Sequence, residues 1–263
     1  MVNFVDLKIK AESSLSVCMA TFNGSAYLKE QIDSILSQLG PNDELLVADD
    51  GSQDGTVDIL KSYGPSLTVI SASRIGGVVE NFSRVISAAD GDYIALADQD
   101  DVWLPGRVAL IKKTLENTDL IQMNAQVVDG DLHSLNVTVF ASSNVRPGFL
   151  SNLIKNSFVG CCMAFRREII DMVRPFPSNI PWHDWYIGLI AELFFKVERV
   201  DAVTISYRRH ENNFSATGGK SKYSLYKKIV MRLQIIRAVV RVVGKYGLFK
   251  ALAQRRRKIG KHR

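Results

Sequence analysis

Two short acidic runs mark the places where a chain of 263 residues could do chemistry: Asp49-Asp50-Gly51-Ser52 and Asp98-Gln99-Asp100-Asp101. Gathered in one place, Asp98, Asp100, Asp101 and the Asp49-Asp50 pair would repel one another unless a cation sat among them. Hard oxygen donors select Mg2+ or Mn2+, which bridge one or two carboxylates to substrate phosphates. An ion held in this way neutralises a departing diphosphate. A solvated Asp-rich turn is the alternative reading of either run, since turns favour Asp in any case. Two runs, one with a glycine between Asp50 and Ser52, are harder to assign to turn chemistry alone.

Both runs follow apolar segments that must position them. Residues 44–48 (ELLVA) and 93–97 (YIALA) read as buried strands, as do residues 15–20 (LSVCMA), which enter the loop Thr21-Phe22-Asn23-Gly24. Between them, residues 25–38 place Leu28, Ile32, Ile35 and Leu36 on one helical stripe. A helix over 56–63, a strand over 67–71 and a helix over 81–89 complete an alternating pattern. That alternation predicts an α/β fold with a mostly parallel sheet covered by helices on both faces. Ligands of such sheets bind just beyond the carboxyl ends of the strands, where both acidic runs and Thr21-Phe22-Asn23 fall. Further along, the pattern predicts a helix over 107–116, a strand over 120–128, a loop-rich stretch over 129–147 and a strand over 158–166. A helix over 168–173 is stopped by Pro175 and Pro177, another spans 183–195, and residues 196–207 read as a pair of short strands.

Composition narrows the class. Hydrophobic residues at 46% and charged residues at 23% fit a folded domain and exclude disorder or a fibrous repeat. The net charge of +6 hides an asymmetry: residues 220–263 hold 15 of the 33 Lys and Arg and none of the 27 Asp and Glu. Cys18, Cys161 and Cys162 form no disulfide framework and suit a reducing compartment. No zinc spacing, signal peptide or apolar run long enough to span a bilayer is present. The expected location is the cytoplasm.

The strings SVCMATFNGSAYLKEQIDSIL, ELLVADDGSQDGT and GDYIALADQDDVW resemble, in order and interval, the nucleotide-binding half of glycosyltransferase family 2, whose fold is GT-A, a Rossmann-like arrangement. The resemblance spans roughly residues 14–215 and is most similar to bacterial rhamnosyltransferase-type members that build surface polysaccharides. It implies a glycosyltransferase domain over 1–219, with a nucleotide-binding half over 14–104, an acceptor half over 105–219, and a tail over 220–263. It also assigns residues. Thr21 would approach the nucleotide, with Phe22 beside the base and Asn23 in the same loop. Asp49 or Asp50, with Asp50 the first choice, would meet the base edge, and Arg74 would lie near base or phosphates. Asp98-Gln99-Asp100 resembles the family's DXD signature. By that resemblance Asp100 is the main metal ligand, Asp98 contacts the metal and sugar, and Asp101 supports them.

The second half would hold the acceptor. Pro181-Trp182-His183-Asp184-Trp185-Tyr186 resembles the segment that carries the family's general base, which matches Asp184; many members have Glu-Asp where this chain has His183-Asp184. Inverting transfer is a single displacement, so it needs one base and no enzyme nucleophile. The alternative for Asp184 is a helix N-terminal residue favoured by the helix dipole. Trp182, His183 and Trp185 would flank the acceptor, although core packing is the commoner fate of a Trp. Phe158-Val159-Gly160-Cys161-Cys162 resembles a segment lining the acceptor cleft, with Gly160 and Cys161 against the ligand. In Tyr207-Arg208-Arg209-His210, the resemblance places His210 on the metal or a phosphate and Arg208 or Arg209 against the diphosphate.

The basic tail has helical spacing. Leu225, Ile229, Leu233, Ile236, Val240 and Val243 follow one face from residue 223 to about 259, with Lys227, Lys228, Arg232, Arg237, Arg241 and Lys245 on the others. Such a helix suits an anionic membrane surface, or packing on the body with a charged rim; the acidic body gives nucleic acid no groove. The sequence reads as an inverting hexosyltransferase that moves a sugar, rhamnose by the resemblance, from a nucleotide-sugar donor to a saccharide or lipid-linked saccharide, peripheral on the inner membrane face. A membrane-associated adaptor that binds nucleotide sugars without catalysis, and a metal-dependent nucleotide-sugar hydrolase, are the competing readings.

Overall fold

The computed structural model describes residues 13–210 and 223–247. Its first half alternates as the sequence predicts: β1 (Leu15–Thr21), α1 (Leu28–Leu36), β2 (Glu44–Asp49), α2 (Thr56–Ser62), β3 (Thr68–Ser71), α3 (Val78–Ala88) and β4 (Tyr93–Ala97). The strands β3-β2-β1-β4 lie side by side and parallel. Alternate residues of each central strand enter opposite cores, which is why these strands read as unbroken apolar runs. Leu15, Val17 and Met19 of β1 face one core with Leu28, Ile32 and Ile35 of α1. Cys18 faces the other with Phe82, Val85 and Ile86 of α3. Because β1 sits between β2 and β4, the helices that leave the sheet diverge there and open a crevice beyond the strand ends.

The second half widens the sheet. In chain order it adds β5 (Val102–Trp103), α4 (Arg107–Leu115), β6 (Leu120–Val128), β7 (Ser134–Thr138), α5 (Val139–Ser143), α6 (Phe149–Ile154), β8 (Met163–Arg166), α7 (Arg167–Val173), α8 (His183–Phe194), β9 (Val197–Arg208) and α9 (Leu225–Tyr246). The order across the sheet is β3-β2-β1-β4-β8-β6-β9-β5, with β7 on β6. β6 and β9 run with the first four strands, whereas β5, β7 and β8 oppose them.

Several expectations are corrected. The stretch 129–147 carries β7, paired to β6, and the short helix α5 in place of a loop. Only residues 163–166 of the expected strand over 158–166 pair; Gly160–Cys162 form a 3-10 turn. The expected pair of short strands over 196–207 is one strand, because Asp201, which reads as a turn residue, accepts the Asn124 side-chain amide at 2.6 Å across a register shift. Helix α9 starts at Ser224, whose hydroxyl accepts the Lys227 amide, and packs on α8 through Ile235, Ala238, Val239 and Val242. Most of the apolar stripe read from the sequence is not that face: Leu225, Ile229, Leu233, Ile236 and Val240 are exposed, and only its last member, Val243, packs half-buried against the core. The residues 211–222, with the Gly218-Gly219 boundary, and the helix expected beyond 247 lie outside the described residues. No helix among the described residues is long and apolar enough to cross a membrane.

Candidate active site

The crevice is built by loops that leave β1, β2 and β4 and are bonded to one another. Gln99 brackets the first and last of them: its Oε1 accepts the Phe22 amide at 2.8 Å and its Nε2 donates to the Phe22 carbonyl at 3.0 Å. The bracket needs Gly24, since a Cβ there would lie 2.3 Å from Gln99 Oε1. Asn23, in the left-handed region at φ 48°, accepts the Gln53 amide on its Oδ1 and donates its own amide to Ser52 Oγ. Thr21 is buried, and its hydroxyl donates to Asp49 Oδ2 at 2.8 Å. The Asp49 carboxylate also accepts from the Gly51 and Ser52 amides and the Ser52 hydroxyl.

Asp50 holds a different loop. Its carboxylate accepts three successive backbone amides, from Ile75 at 2.6 Å, Gly76 at 2.9 Å and Gly77 at 3.1 Å, which fixes the approach to α3. Both aspartates of the first acidic run therefore hold loops of the crevice in place, and Thr21 and Asn23 do so with them. Phe22, 47% exposed, and Arg74, exposed beside Gly51, face outward where a nucleotide could reach them.

The second acidic run turns inward at the end of β4. Carboxylate oxygens of Asp98 and Asp101 and the Cys161 sulfur lie within 4.8 Å of one another. Burial, then the charges of Asp100 and Asp184, push the Asp98 carboxyl up to about 7. Burial, Asp100 and Asp98 push Asp101 up as well, and its Oδ2 is buried with no hydrogen-bond partner. An orphaned carboxylate oxygen among crowded acids is the environment that a divalent cation relieves, so the residues present fit a hard metal. Cys161 is not a natural ligand for such an ion. Its thiol is held neutral by its interaction with Cys162 and by burial, and its sulfur backs the Asp98 and Asp101 carboxylates. It is fully buried, which corrects its placement against the acceptor.

At the mouth, His210 Nε2 and Asp100 Oδ2 lie 2.9 Å apart, with Tyr27 tilted against the imidazole at 4.9 Å. The expected ligands Asp100 and His210 are thus together, one turn outward from Asp98 and Asp101. Arg208 is buried beside them, its guanidinium over the Tyr27 ring at 4.4 Å. Its Nε donates to the Asp100 carbonyl at 2.8 Å, its remaining nitrogens reach the Gly130 carbonyl and the Glu30 carboxylate, and its amide donates to Asp101 Oδ1 at 3.0 Å. It fixes the acidic turn, which corrects its expected contact with the diphosphate. Arg209 is half-buried and its amide donates to the Val128 carbonyl.

Asp184 opens α8. Its Oδ1 accepts the Trp185 amide at 2.6 Å, and the Gly160 amide also bonds the carboxylate. Burial pushes its carboxyl up to about 7 against those bonds. Gly160 allows the approach: a Cβ there would sit 3.1 Å from His183 Nε2 and 3.7 Å from Asp184 Cβ. His183 stacks on Phe82 with centroids 3.9 Å apart, and burial holds it neutral, down to about 3. Trp185 is a core residue whose Nε1 donates to the Asn152 carbonyl at 2.8 Å, which corrects its expected contact with the acceptor; Trp182 is half-buried against the same core.

Two contributors escape the sequence reading. Arg107 is fully buried, stacks over Trp103 at 4.5 Å, and donates to Thr204 Oγ1 at 2.6 Å and to the Cys161 carbonyl at 2.8 Å. Asn81 donates its side-chain amide to the carbonyls of Ala48 and Thr21, joining α3 to the ends of β1 and β2. Gly77 followed three residues later by Glu80 hints at a helix start, but nothing local marks either side chain.

Acids that follow β4 at a parallel switch point, with the Gly160–Cys161 turn between them and a carboxylate at a helix N-terminus, are the setting in which the sequence comparison decides. The profile of Glycosyl transferase family 2 matches residues 16–174. The chain belongs to this family. Its relatives include the dTDP-rhamnosyl transferase RfbG of Shigella flexneri, 29% identical over 219 residues that cover 74% of this chain and 72% of that one. An Escherichia coli protein, the UDP-Glc:alpha-D-GlcNAc-diphosphoundecaprenol beta-1,3-glucosyltransferase WfgD, is 25% identical over 66% of this chain and 68% of its own. Among solved structures, S. aureus TarS 1-349 in complex with UDP-GlcNAc matches at TM-score 0.66 and 18% identity, covering 86% of this chain and 66% of that one. The mannosyltransferase PcManGT from Pyrobaculum calidifontis, in complex with GDP-Man and Mn2+, matches at TM-score 0.56 and 20% identity over 86% and 64%. These likenesses establish the GT-A fold for the glycosyltransferase; Asp184, Arg208 and His210 lie beyond the matched profile.

Proposed function

We propose that this family 2 glycosyltransferase transfers a sugar, with rhamnose the first candidate, from a nucleoside-diphosphate donor to a saccharide or lipid-linked saccharide with inversion at the anomeric carbon. The observation that carries the reading is the turn at residues 160–161: a Cβ on Gly160 would lie 3.7 Å from Asp184 Cβ, while the Cys161 sulfur lies within 4.8 Å of the Asp98 and Asp101 carboxylate oxygens, which supports one crevice shared by base and acidic turn although 86 positions separate Asp184 from Asp98. The donor nucleotide lies against the Phe22 and Arg74 side, on loops held by Asp49 and Asp50. Asp98 and Asp100, with His210, would hold Mg2+ or Mn2+, which when bound offsets the charge of the leaving diphosphate. The acceptor hydroxyl oxygen attacks the anomeric carbon, the bond from that carbon to the diphosphate oxygen breaks, and the hydroxyl proton passes to the Asp184 carboxylate. The Gly160 backbone lies next to that base, whereas His183 is buried against Phe82 and supports the turn from behind.

The enzyme works from the cytoplasmic face of a membrane, to which the basic C-terminal segment holds it. Purified protein assayed against a panel of nucleotide sugars, with and without Mn2+, tests the reaction. Asp184→Asn should abolish transfer while leaving donor binding intact. Unchanged transfer by that variant, or equal release of free sugar without any acceptor, would remove the proposed mechanism.

A further inference from the structure

Helix α9 is apolar on two faces, and among the described residues only one of them is packed. Ile235, Ala238, Val239 and Val242 are buried against the body. At 100° per residue, Leu225, Ile229, Leu233, Ile236 and Val240 fall within an arc of about 80°, centred about 130° around the helix from the buried face. All five are exposed, Leu225 at 75% and Val240 at 60%. A second helix extends the ridge. The Arg232 guanidinium donates to the Ile154 carbonyl, which ties the end of α6 alongside α9, and α6 exposes Leu150 at 70% and Ile154 at 69%. Two sequence segments some 75 residues apart thus contribute to one uncovered apolar surface.

We infer that the α6–α9 ridge is the docking surface of this enzyme for an anionic lipid bilayer, and that docking turns the acceptor side of the crevice toward the membrane. The inference rests on the membrane-surface reading above and makes it specific. Charge selects the occupant. The exposed Arg237 and Arg241 border the ridge on one side, about 80° and 120° from its centre, and α9 carries no acidic residue. A second copy related by a two-fold axis would set these cations against themselves. Anionic headgroups would complement them, with the apolar residues in the acyl boundary and the exposed Tyr226 ring at headgroup level. The link to the site is short: α6 hangs from α8 through Trp185 Nε1 to the Asn152 carbonyl and through the Gly148 amide to Glu192. The same helix α8 carries Asp184 in its first turn. An acceptor anchored in the bilayer would therefore meet the base without leaving the membrane.

Deleting the C-terminal segment would strip Ile235 and Val239 from the core, so surface variants make the cleaner test. The full chain and an Ile154→Glu, Ile229→Glu, Leu233→Glu variant are sedimented with vesicles of phosphatidylcholine alone and of phosphatidylcholine with phosphatidylglycerol. Binding of the full chain only to the anionic vesicles is expected, with at least a tenfold loss in the variant and a melting temperature within a few degrees. Asp184→Asn should bind vesicles as the full chain does, so that a failed transferase reading leaves this test intact. Failure of the full chain to bind anionic vesicles, or undiminished binding by the variant, overturns the proposal. So does a full chain that is dimeric in solution and becomes monomeric in the variant, which would give the ridge to a second copy.

Discussion

The Arg107 guanidinium donates to the Cys161 carbonyl at 2.8 Å and so joins the helix that follows the acidic turn to the turn that supports Asp184. A fully buried arginine is costly unless its donors are met, and here Thr204 and Cys161 meet the two terminal nitrogens, with Nε left without a partner, while Asp101 supplies opposite charge. Arg107→Met should destabilise the fold by about 2–4 kcal/mol, the cost of stranding buried acceptors and an uncompensated acid. Arg107→Lys keeps the charge but not the fork and should recover only part of it. Urea unfolding of the three proteins measures this; equal midpoints would show that the contact carries no weight.

Asp184 sets the pH response. Its carboxyl is pushed up to about 7 by burial, so the base is unavailable below that value, and kcat/KM should fall tenfold per pH unit on the acid side. The stability effect has the opposite direction. A carboxyl whose folded pKa lies above its ordinary 3.8 favours the fold at low pH, and that contribution is lost as pH climbs from near 4 to near 7. Asp184→Asn should therefore melt a few degrees above wild type at pH 8 in chelator and no higher at pH 4. Melting scans at the two pH values decide it; an identical gap at both would place the titration elsewhere.

Gly24 and Gln99 should behave as one unit. The Cβ of Gly24→Ala would displace the Gln99 amide and cost both of its bonds to Phe22. Gly24→Ala and Gln99→Ala should each lower kcat/KM for the donor by roughly tenfold, and the double variant by little more than either, the coupling expected of residues in contact. Fully additive losses would mean that the bracket does not shape the donor loop.

The acidic turn predicts a metal requirement. Chelator treatment should abolish transfer and Mn2+ or Mg2+ should restore it. Asp100→Ala should raise the metal concentration for half-maximal rate by about tenfold or more, in keeping with the loss of a ligand. His210→Ala should act in the same direction, since its imidazole meets Asp100. Metal titrations of the initial rate provide the check, and full activity after exhaustive chelation would refute it.

What the sequence disclosed follows from which forces are local. Buried parallel strands must be apolar on both faces, so β1, β2 and β4 are visible as runs, and the acids that follow them mark the crevice. Partners far along the chain leave no such mark. Arg107 reads as a solvated helix residue because Cys161 and Thr204 lie 54 and 97 positions away. Asp50 reads as a ligand contact because the backbone amides of residues 75–77 that occupy it have no side-chain signature. In α9 the larger residues Leu225, Ile229 and Leu233 form the stronger stripe, yet the core accepts the stripe containing Ala238, whose small side chain lets α8 come close. Periodicity reports that a face is apolar and leaves open which of two such faces is covered.

Strand β9 carries a consequence for how the enzyme comes into being. It pairs with β5 just after the acidic turn, and its last residue, Arg208, grips that turn through both backbone and guanidinium. During synthesis, the ribosome has released every aspartate of the turn about a hundred residues before it makes the arginine that sets them in place. The nascent nucleotide-binding half is therefore an unfinished tool, and competence arrives only when the last strand of the sheet slides home beside the sixth.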